Sequence, residues 1–410
     1  MITDAGVVAP VLLGAIIIAL VFQDVFEVLL LPRRVRRRWR LAGIFFIATW
    51  AVWRKSARFF RPAAAASVLS VYGPLSIVTL YAAWAASLIG GFGLCQWGLN
   101  QSAGHPSSLL SNLYLSGSTF FTLGFGDVPL HTGIAKAVSI LEAGSGFGLI
   151  AAVIGYLPVL YQMFSRREAH VIQLDGRAGS PPSAAFLLAG HGANHAMAEF
   201  NAFLRAWEMW GAELLESHLS YPMLAFYRSQ HDNQSWLGAL STIMDACAIV
   251  LSGLHGARTF QARMTFAMGR MVLIEMTRVL RLNPLAPQPD RLPPDRFAEL
   301  AASLARAGLI LEGQAVEQRL AALRMTYEPL IDALSQFLLL TVPDWLPSAT
   351  PDNWQMGTYG GLAAELVDGP GSPAFPLAAP DKTAATDRLD SRLRYRVTRQ
   401  VLAALGRRHS

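Results

Sequence analysis

Three long apolar segments, separated by short charged stretches, dominate the first half of the chain. They run over Val7–Leu31, Val68–Cys95 and Ile134–Phe164. Each is long enough for the roughly 20 residues that a helix needs to cross a bilayer. A further apolar stretch, Leu41–Trp53, has basic residues on both sides and is predicted to lie along the inner membrane interface. We therefore expect three spanning helices and one interfacial helix in a lipid bilayer.

Clusters of basic residues predict how these helices are oriented. Arginines follow the first span over residues 33–40, and Arg54, Lys55, Arg58 and Arg61 precede the second span. Basic loops stay in the cytoplasm, so the amino terminus is expected outside and everything after the third span inside. An alternative with four spans, in which Leu41–Phe60 crosses, would put the amino terminus inside. Either topology predicts a multi-pass protein of the cell (inner) membrane.

Composition excludes an ordinary soluble enzyme for the first part of the chain. The 410 residues are 53% hydrophobic and only 15% charged, with a mean hydropathy of +0.35. The formal net charge of +6 does not predict nucleic-acid binding, because much of the excess is arginine next to the membrane, where anionic lipids attract it. Asp24 and Glu27, near the inner end of the first span, are expected to pair with the neighbouring arginines.

A short motif between the second and third spans carries the most specific chemistry. It reads Thr122-Leu123-Gly124-Phe125-Gly126-Asp127 and follows Ser108–Phe121, a helix candidate too short to cross the membrane. A filter that replaces the hydration water of a cation needs successive backbone carbonyls pointing one way. Glycine readily takes the positive φ angles that this requires, which assigns Gly124 and Gly126 to such positions.

This motif resembles the TVGYG-type filter of potassium channels, with Leu123 for valine and Phe125 for tyrosine. Over Val68–Phe164 the order of outer helix, pore helix, filter and inner helix is similar to prokaryotic two-helix potassium channels. The resemblance implies a homotetramer that holds K⁺ ions in the filter, with no organic cofactor. It implies ion binding by the residues Thr122, Leu123, Gly124, Phe125 and Gly126, with Phe125 packed behind the filter and Asp127 at the outer mouth. The phenylalanine lacks the hydroxyl that would tie the filter to its surroundings.

Several residues of the third span are candidates for a role in gating or in supporting the filter. Gly146 is placed where two-helix channels commonly carry a gating-hinge glycine, and Pro158 is expected to kink the helix. In the alternative interpretation, Gly144 and Gly148 form a small-residue face for helix packing. Glu142 is an ionisable residue within the membrane, predicted either to back the filter or to face the cavity.

Histidines occur in two places that suggest further chemistry. His105 and His131 flank the predicted outer mouth and would make the pore sensitive to external pH, unless they are simply solvated. His191, His195 and Glu199 recur every four residues, which would place them on one helix face as candidate metal ligands. The alternative is a polar face between helices. Asp245 and His255 are interpreted as buried polar contacts.

The second half of the chain is predicted to be a cytoplasmic bundle of helices. Val171–Leu174 is a candidate strand and Asp175–Ser183 a turn. The expected helices are Ala193–His218, Asn233–Leu254, Arg258–Leu282, Pro294–Ala307 and Glu312–Leu340. No G-x-G-x-x-G follows a strand, so no nucleotide-binding domain is predicted, and any cytoplasmic ligand or regulator is not legible from the sequence.

The resulting fold class is an all-α membrane protein with five regions. These are an amino-terminal span with an interfacial helix (1–67), a pore module (68–167), a helical cytoplasmic domain (168–342), a flexible linker (343–386) and a basic amphipathic helix (387–410). The predicted function is a potassium-selective ion channel, not an enzyme, gated by bending of the inner helix, by the cytoplasmic domain, or by both. The alternative is a membrane-tethered receptor or sensor with a vestigial pore.

Overall fold

The structure, a computed structural model, describes residues 4–29, 41–105, 107–193, 195–230, 233–286, 289–313 and 315–347. The described residues all belong to one compact unit, Met1–Gln355. They form helices and contain no β-strand, which confirms the predicted all-α class. An isolated bridge between Leu254 and Leu311 is the nearest approach to sheet within these ranges.

Three long apolar helices match the predicted spans. They are α1 (Asp4–Leu29), α3 (Pro62–Ser102) and α5 (Gly133–Ala178). Large apolar side chains on α5, such as Ile140 and Phe147, are exposed, as expected for a surface that meets lipid or another chain. A further helix of spanning length, Trp236–Gly253, is almost entirely buried inside the protein, so its apolar character reflects a core position.

The predicted interfacial segment forms α2 (Leu41–Ala57), which packs against α3. Asp24 holds its first described turn, because the carboxylate accepts hydrogen bonds from the Ala42 backbone N–H, at 3.1 and 3.2 Å, and from Trp84 Nε1 at 2.9 Å. A carboxylate at a helix amino terminus satisfies otherwise unpaired N–H groups. Asp24 therefore ties α1, α2 and α3 together; the arginines expected to pair with it lie in residues 33–40, outside the described residues.

The third span extends well beyond its predicted end. Helix α5 continues through Phe164 to Ala178, where Gly179 ends it with a φ of 86°. The predicted strand Val171–Leu174 is therefore wrong, and the domain boundary placed at residue 168 lies inside an unbroken helix. Polar residues become more frequent after Glu168 although the helix continues, and periodicity over four residues could not distinguish this part of the helix from a strand.

The rest of the described chain is a helical domain. Its helices are α6 (Ala184–Ala193), α7 (Met197–Ser220), α8 (Trp236–Gly253), α9 (Thr259–Val279), α10 (Pro294–Arg306), α11 (Val316–Arg324) and α12 (Glu328–Leu338), with a 3₁₀ helix at Pro222–Phe226. Four predicted helices are present with shifted ends. The predicted helix Glu312–Leu340 is two helices, α11 and α12, and α6 was missed. The predicted linker beyond residue 347 and the predicted helix at 387–410 lie outside the described residues.

Candidate functional site

The short helix predicted within Ser108–Phe121 is confirmed as α4 (Leu109–Phe120). Ser108 caps it by accepting a hydrogen bond from the Ser111 backbone N–H at 3.1 Å. Its far end holds the motif that follows, because the Leu123 N–H donates to the Ser118 carbonyl at 2.7 Å and the Thr122 N–H to the Thr119 carbonyl at 2.9 Å. The first turn of the motif is thus suspended from the last turn of α4.

Backbone angles alternate along the motif. Thr122, Gly124 and Gly126 have φ values of 57°, 61° and 73°, whereas Leu123 and Phe125, between them, do not have positive φ. An alternation of left-handed and right-handed residues turns every second peptide, so that consecutive carbonyl groups face one side of the strand. The positive φ predicted for the two glycines is confirmed, and Thr122 adds a third such position that a non-glycine residue rarely takes.

A second aromatic ring supports the motif. The Phe125 ring stacks on Tyr114 of α4 with the ring centroids 6.3 Å apart, and the Asp127 carboxylate lies close to the Tyr114 hydroxyl. Sequence reasoning missed Tyr114; its place six residues after the helix cap Ser108 gave no signal of its own. Tyr114 supplies the motif with an aromatic and polar contact, although Phe125 itself lacks a hydroxyl.

In one chain the motif has only one protein wall. All residues from Phe121 to Asp127 are exposed, and Leu123 and Phe125 expose 59% and 62% of their surface. Apolar side chains at this exposure are unusual unless another surface covers them. Within a single chain the motif is therefore supported by α4 on one side and exposed on the other.

The inner helix contacts the pore helix through two residues one turn apart. Glu142 is fully buried and hydrogen-bonds Ser116, so it lies behind α4 and does not face a cavity. One turn later, a Cβ added to Gly146 would lie 1.9 Å from the Phe120 carbonyl oxygen. Ser116 and Phe120 are also one turn apart, so matching stripes of α5 and α4 fit against each other.

This packing changes the interpretation of the α5 glycines. Gly144 and Gly148, the expected packing pair, meet nothing within 4 Å in the single chain, whereas Gly146 is the glycine at the close contact. Pro158 lies exposed inside α5, which continues past it for five more turns. A hinge at Gly146 stays a prediction; any such bend would act directly on the end of the pore helix.

Polar side chains that sequence reasoning did not single out fill the space behind α4. Asn100 donates to Asn112 Oδ1 at 2.8 Å, and Gln96 donates to the Ala135 carbonyl at 3.0 Å. Both belong to α3 and both are buried. Their spacing of four residues on one face of α3 was a usable signal, but only the packing of α3, α4 and α5 shows that this face is interior.

The two histidines at the ends of the pore loop lie side by side. The rings of His105 and His131 stack with centroids 3.9 Å apart and an angle of 18° between their planes. Both are exposed. The structure therefore brings together the residues that flank the motif, while the pH sensitivity expected of them stays a prediction.

The candidate metal ligands do not share a helix face. His191 lies near the end of α6, His195 in the following loop with a φ of 54°, and Glu199 in the first turn of α7. His191 Nδ1 donates to the Leu187 carbonyl at 2.8 Å, and its ring packs against Phe200. No group of three or more His, Cys, Asp or Glu side chains in the described ranges is arranged to hold a metal ion. The premise of a single helix was wrong because α6 ends at Ala193 and α7 begins only at Met197.

Asp245 is the buried polar contact that was predicted. Its carboxylate pairs with Arg291 Nη2 at 2.7 Å and accepts from the Tyr327 hydroxyl at 2.6 Å. His255, by contrast, is exposed and pairs with Glu312 at 2.6 Å.

Comparisons with known proteins agree with the pore region of this geometry. Residues 75–162 match the family described as "Ion channel". The chain is 25% identical over 194 residues to an uncharacterized membrane protein, YdjJ, of Bacillus subtilis (strain 168). That alignment covers 46% of this chain and 56% of the relative, so the chain spans about half the length of the curated relative it matches. No solved structure gives a significant match. Together with the apolar helices, these matches support an ion-channel domain within a multi-pass membrane protein.

Proposed function

We propose that the protein is a potassium-selective channel that conducts K⁺ passively through a ring of Thr122–Gly126 segments. The alternating φ angles at Thr122, Gly124 and Gly126 carry this proposal. They direct consecutive backbone carbonyls to one side, and rings of carbonyl oxygens are how potassium filters replace the hydration shell of the ion. The segment lies within the residues that match the ion-channel family. No organic cofactor takes part.

The assembly is a homotetramer in this proposal. One chain supplies one row of carbonyls, and a cation that has lost its water needs oxygens on all sides. The exposed residues Leu123 and Phe125, and exposed apolar side chains along α5, supply the surface that the other three copies would cover. Such a closed ring is a cyclic arrangement of identical contacts.

The proposed orientation follows the basic clusters. The amino terminus lies outside, the Thr122–Asp127 motif opens to the outer face, and the helical domain lies in the cytoplasm. The carbonyl end of α4 then points toward the middle of the membrane, where its partial negative charge favours a dehydrated cation.

The helical domain is the proposed gating element because it forms hydrogen bonds and packing contacts with α5. Arg167, buried near the inner end of α5, donates to the Leu224 carbonyl at 2.9 Å and to the Tyr227 carbonyl at 2.8 Å. It also pairs with Glu168 at 2.8 Å. The 3₁₀ helix that contains Leu224 places Met223 against Tyr156 of α5, with 3.5 Å between the thioether sulfur and the hydroxyl. Movement of the domain would therefore be transmitted to the inner helix.

The test is ion flux in liposomes that contain the purified full chain. We expect K⁺ flux that exceeds Na⁺ flux and is blocked by Ba²⁺. Gly124→Ala should abolish it, on the order of a hundredfold, because alanine at a φ of 61° is strained by roughly 1–2 kcal/mol in each of four subunits. Gly256→Ala is the matched control: this glycine also has positive φ, 69°, and open space around it, but it lies in the helical domain.

Two results would contradict the proposal. Flux that does not distinguish K⁺ from Na⁺ would leave an ion channel without potassium selectivity. Equal loss of flux in the Gly124 and Gly256 variants would show that the first change acts on stability and not on the filter.

A further inference from the structure

The hydroxyl group of Ser116 lies between two oxygen atoms, and a hydrogen bond to each of them requires a hydrogen atom. Its Oγ lies 2.8 Å from the Ile89 carbonyl of α3 and within hydrogen-bonding distance of Glu142 Oε1 on α5. A serine hydroxyl carries one proton, and a carbonyl and a carboxylate are both acceptors only. If Glu142 were ionised, one of these two contacts would lack a hydrogen atom.

The surroundings of Glu142 do not stabilise an ionised carboxylate at this position. Its side chain is completely buried, and among the described residues no lysine, arginine or histidine forms an ion pair with it. The second carboxyl oxygen of Glu142, Oε2, has no hydrogen-bond partner among the described residues. An ionised carboxylate in such a place is costly unless it is paired.

We propose that Glu142 is held as the neutral carboxylic acid, and that its proton completes a relay in which Glu142 donates to Ser116 and Ser116 donates to the Ile89 carbonyl. This relay joins one residue from each of α5, α4 and α3. It fixes the pore helix two residues before Ser118, whose carbonyl holds the Leu123 N–H. Glu142 is thus a positioning residue for the filter, a consequence that rests on the proposed function.

The other ionisable groups near the relay are few. Cys95 of α3 is close enough to interact with Glu142. On α4 the ionisable side chain is Tyr114, which faces Phe125 and Asp127, and on α5 Lys136 is exposed two turns earlier. None of these supplies a compensating positive charge at Glu142, so alkaline pH, which would remove the relay proton, is expected to loosen the pore helix.

The protonation itself is measured by infrared spectroscopy on the full chain in bilayers. A carboxylic-acid C=O band at neutral pH should disappear in Glu142→Gln and persist in Glu213→Gln, a matched change at an exposed glutamate. A spectrum in which Glu142→Gln removes no such band overturns the proposal. This readout does not depend on conduction, so it decides the protonation state even if the proposed channel function fails.

The positioning role is measured by the K⁺ to Na⁺ flux ratio. Glutamine can still donate to Ser116, so Glu142→Gln should keep the ratio and lose the fall expected at alkaline pH. Glu142→Ala and Ser116→Ala break the relay and should lower the ratio about tenfold, the effect of one lost buried hydrogen bond. Size-exclusion chromatography checks that each variant still assembles. A lost ratio in assembled Glu142→Gln, or an unchanged ratio in both alanine variants, would overturn the positioning role.

Discussion

Two polar regions of the molecule differ in how they are enclosed: the Thr122–Asp127 motif, and a charged cluster in the helical domain. The charged cluster consists of Asp245, Arg291, Arg324 and Glu328. Only the charged cluster is enclosed within a single chain. In the cluster, Arg291 pairs with Asp245 at 2.7 Å and with Glu328 at 3.1 Å. In the motif, the carbonyl row is held from behind by α4 and exposed in front. The difference teaches that the charged groups of the helical domain are enclosed by the same chain, whereas the motif is supported by α4 on one side only.

The side chains of the charged cluster are largely buried by residues of the helical domain. Arg324 pairs with Glu328 at 3.0 Å, and the guanidinium groups of Arg291 and Arg324 both lie over the Trp345 ring, at 5.8 and 5.5 Å. Burial, together with the nearby Asp245 carboxylate, raises the pKa of Glu328. Every charge of the cluster thus depends on its partners, and removing one leaves another buried and uncompensated.

Asp245→Ala should therefore have the largest effect on stability. We expect the free energy of unfolding to fall by about 3–5 kcal/mol, the usual result of breaking a buried ion pair from one side. Denaturant unfolding of the detergent-solubilised full chain, followed by tryptophan fluorescence, measures the change. Asp290→Ala is the control. This carboxyl pairs with another arginine of the cluster, Arg324, but is 55% exposed, so its loss should lower the free energy of unfolding by less than about 1 kcal/mol. Equal losses would mean that burial does not set the value of these pairs.

Gly146→Ala sharpens the filter side of the comparison. The added methyl group would press on the Phe120 carbonyl, and overpacking of this kind costs about 1–3 kcal/mol. Because Phe120 ends the helix that holds the motif, we expect the K⁺ to Na⁺ flux ratio to fall by about tenfold.

The neighbouring glycines of α5 provide the comparison for that experiment. Gly144→Ala and Gly148→Ala add the same methyl group where nothing lies within 4 Å in one chain. They should retain most of the selectivity. Should Gly146→Ala change only the open time of single channels and not selectivity, the residue would be a hinge and not a packing contact.

A pH-dependent effect is expected from His218, which lies where α5 contacts the helical domain. Burial and the nearby Arg167 lower the pKa of His218 to about 3 from an ordinary value of 6.5. Its Nδ1 donates to the Leu214 carbonyl at 2.8 Å, and its Nε2 faces Arg167 at 3.5 Å, an arrangement that fits the neutral ring.

The sign of the pH dependence follows from that lowered pKa. Above pH 6.5 the ring is neutral in both folded and unfolded chains, so its contribution is fully present there. Below 6.5 the unfolded chain takes up the proton first, so stability should fall by about 1.4 kcal/mol per pH unit until the pKa near 3 is approached. Thermal unfolding between pH 7 and 4 checks this; His218→Gln should flatten the slope and His255→Gln, at an exposed site, should not. A slope unchanged by His218→Gln would assign it to other groups.

Much of the pore module could be predicted from the sequence because its constraints are local. A helix must be about 20 apolar residues long to cross a bilayer, and positive φ favours glycine, so α1, α3, α5, Gly124 and Gly126 were readable from residue types alone. The helical domain was read less well. The break between α11 and α12 is marked by Pro329 in the first turn of α12, a helix-start signal that sequence reasoning missed. Helix α6 has only ten residues, too few for its periodicity to stand out.

The sequence by itself determined the spans, the pore helix and the motif, because bilayer thickness and backbone sterics act on each residue where it stands. Only the tertiary structure decided which glycine of α5 meets α4 and that Glu142 lies against Ser116. It also decided that His191, His195 and Glu199 lie on α6, in the following loop and on α7. Those facts depend on which faces of distant segments come together. Spacing along one helix fixes which residues share a face, but it does not say what that face touches.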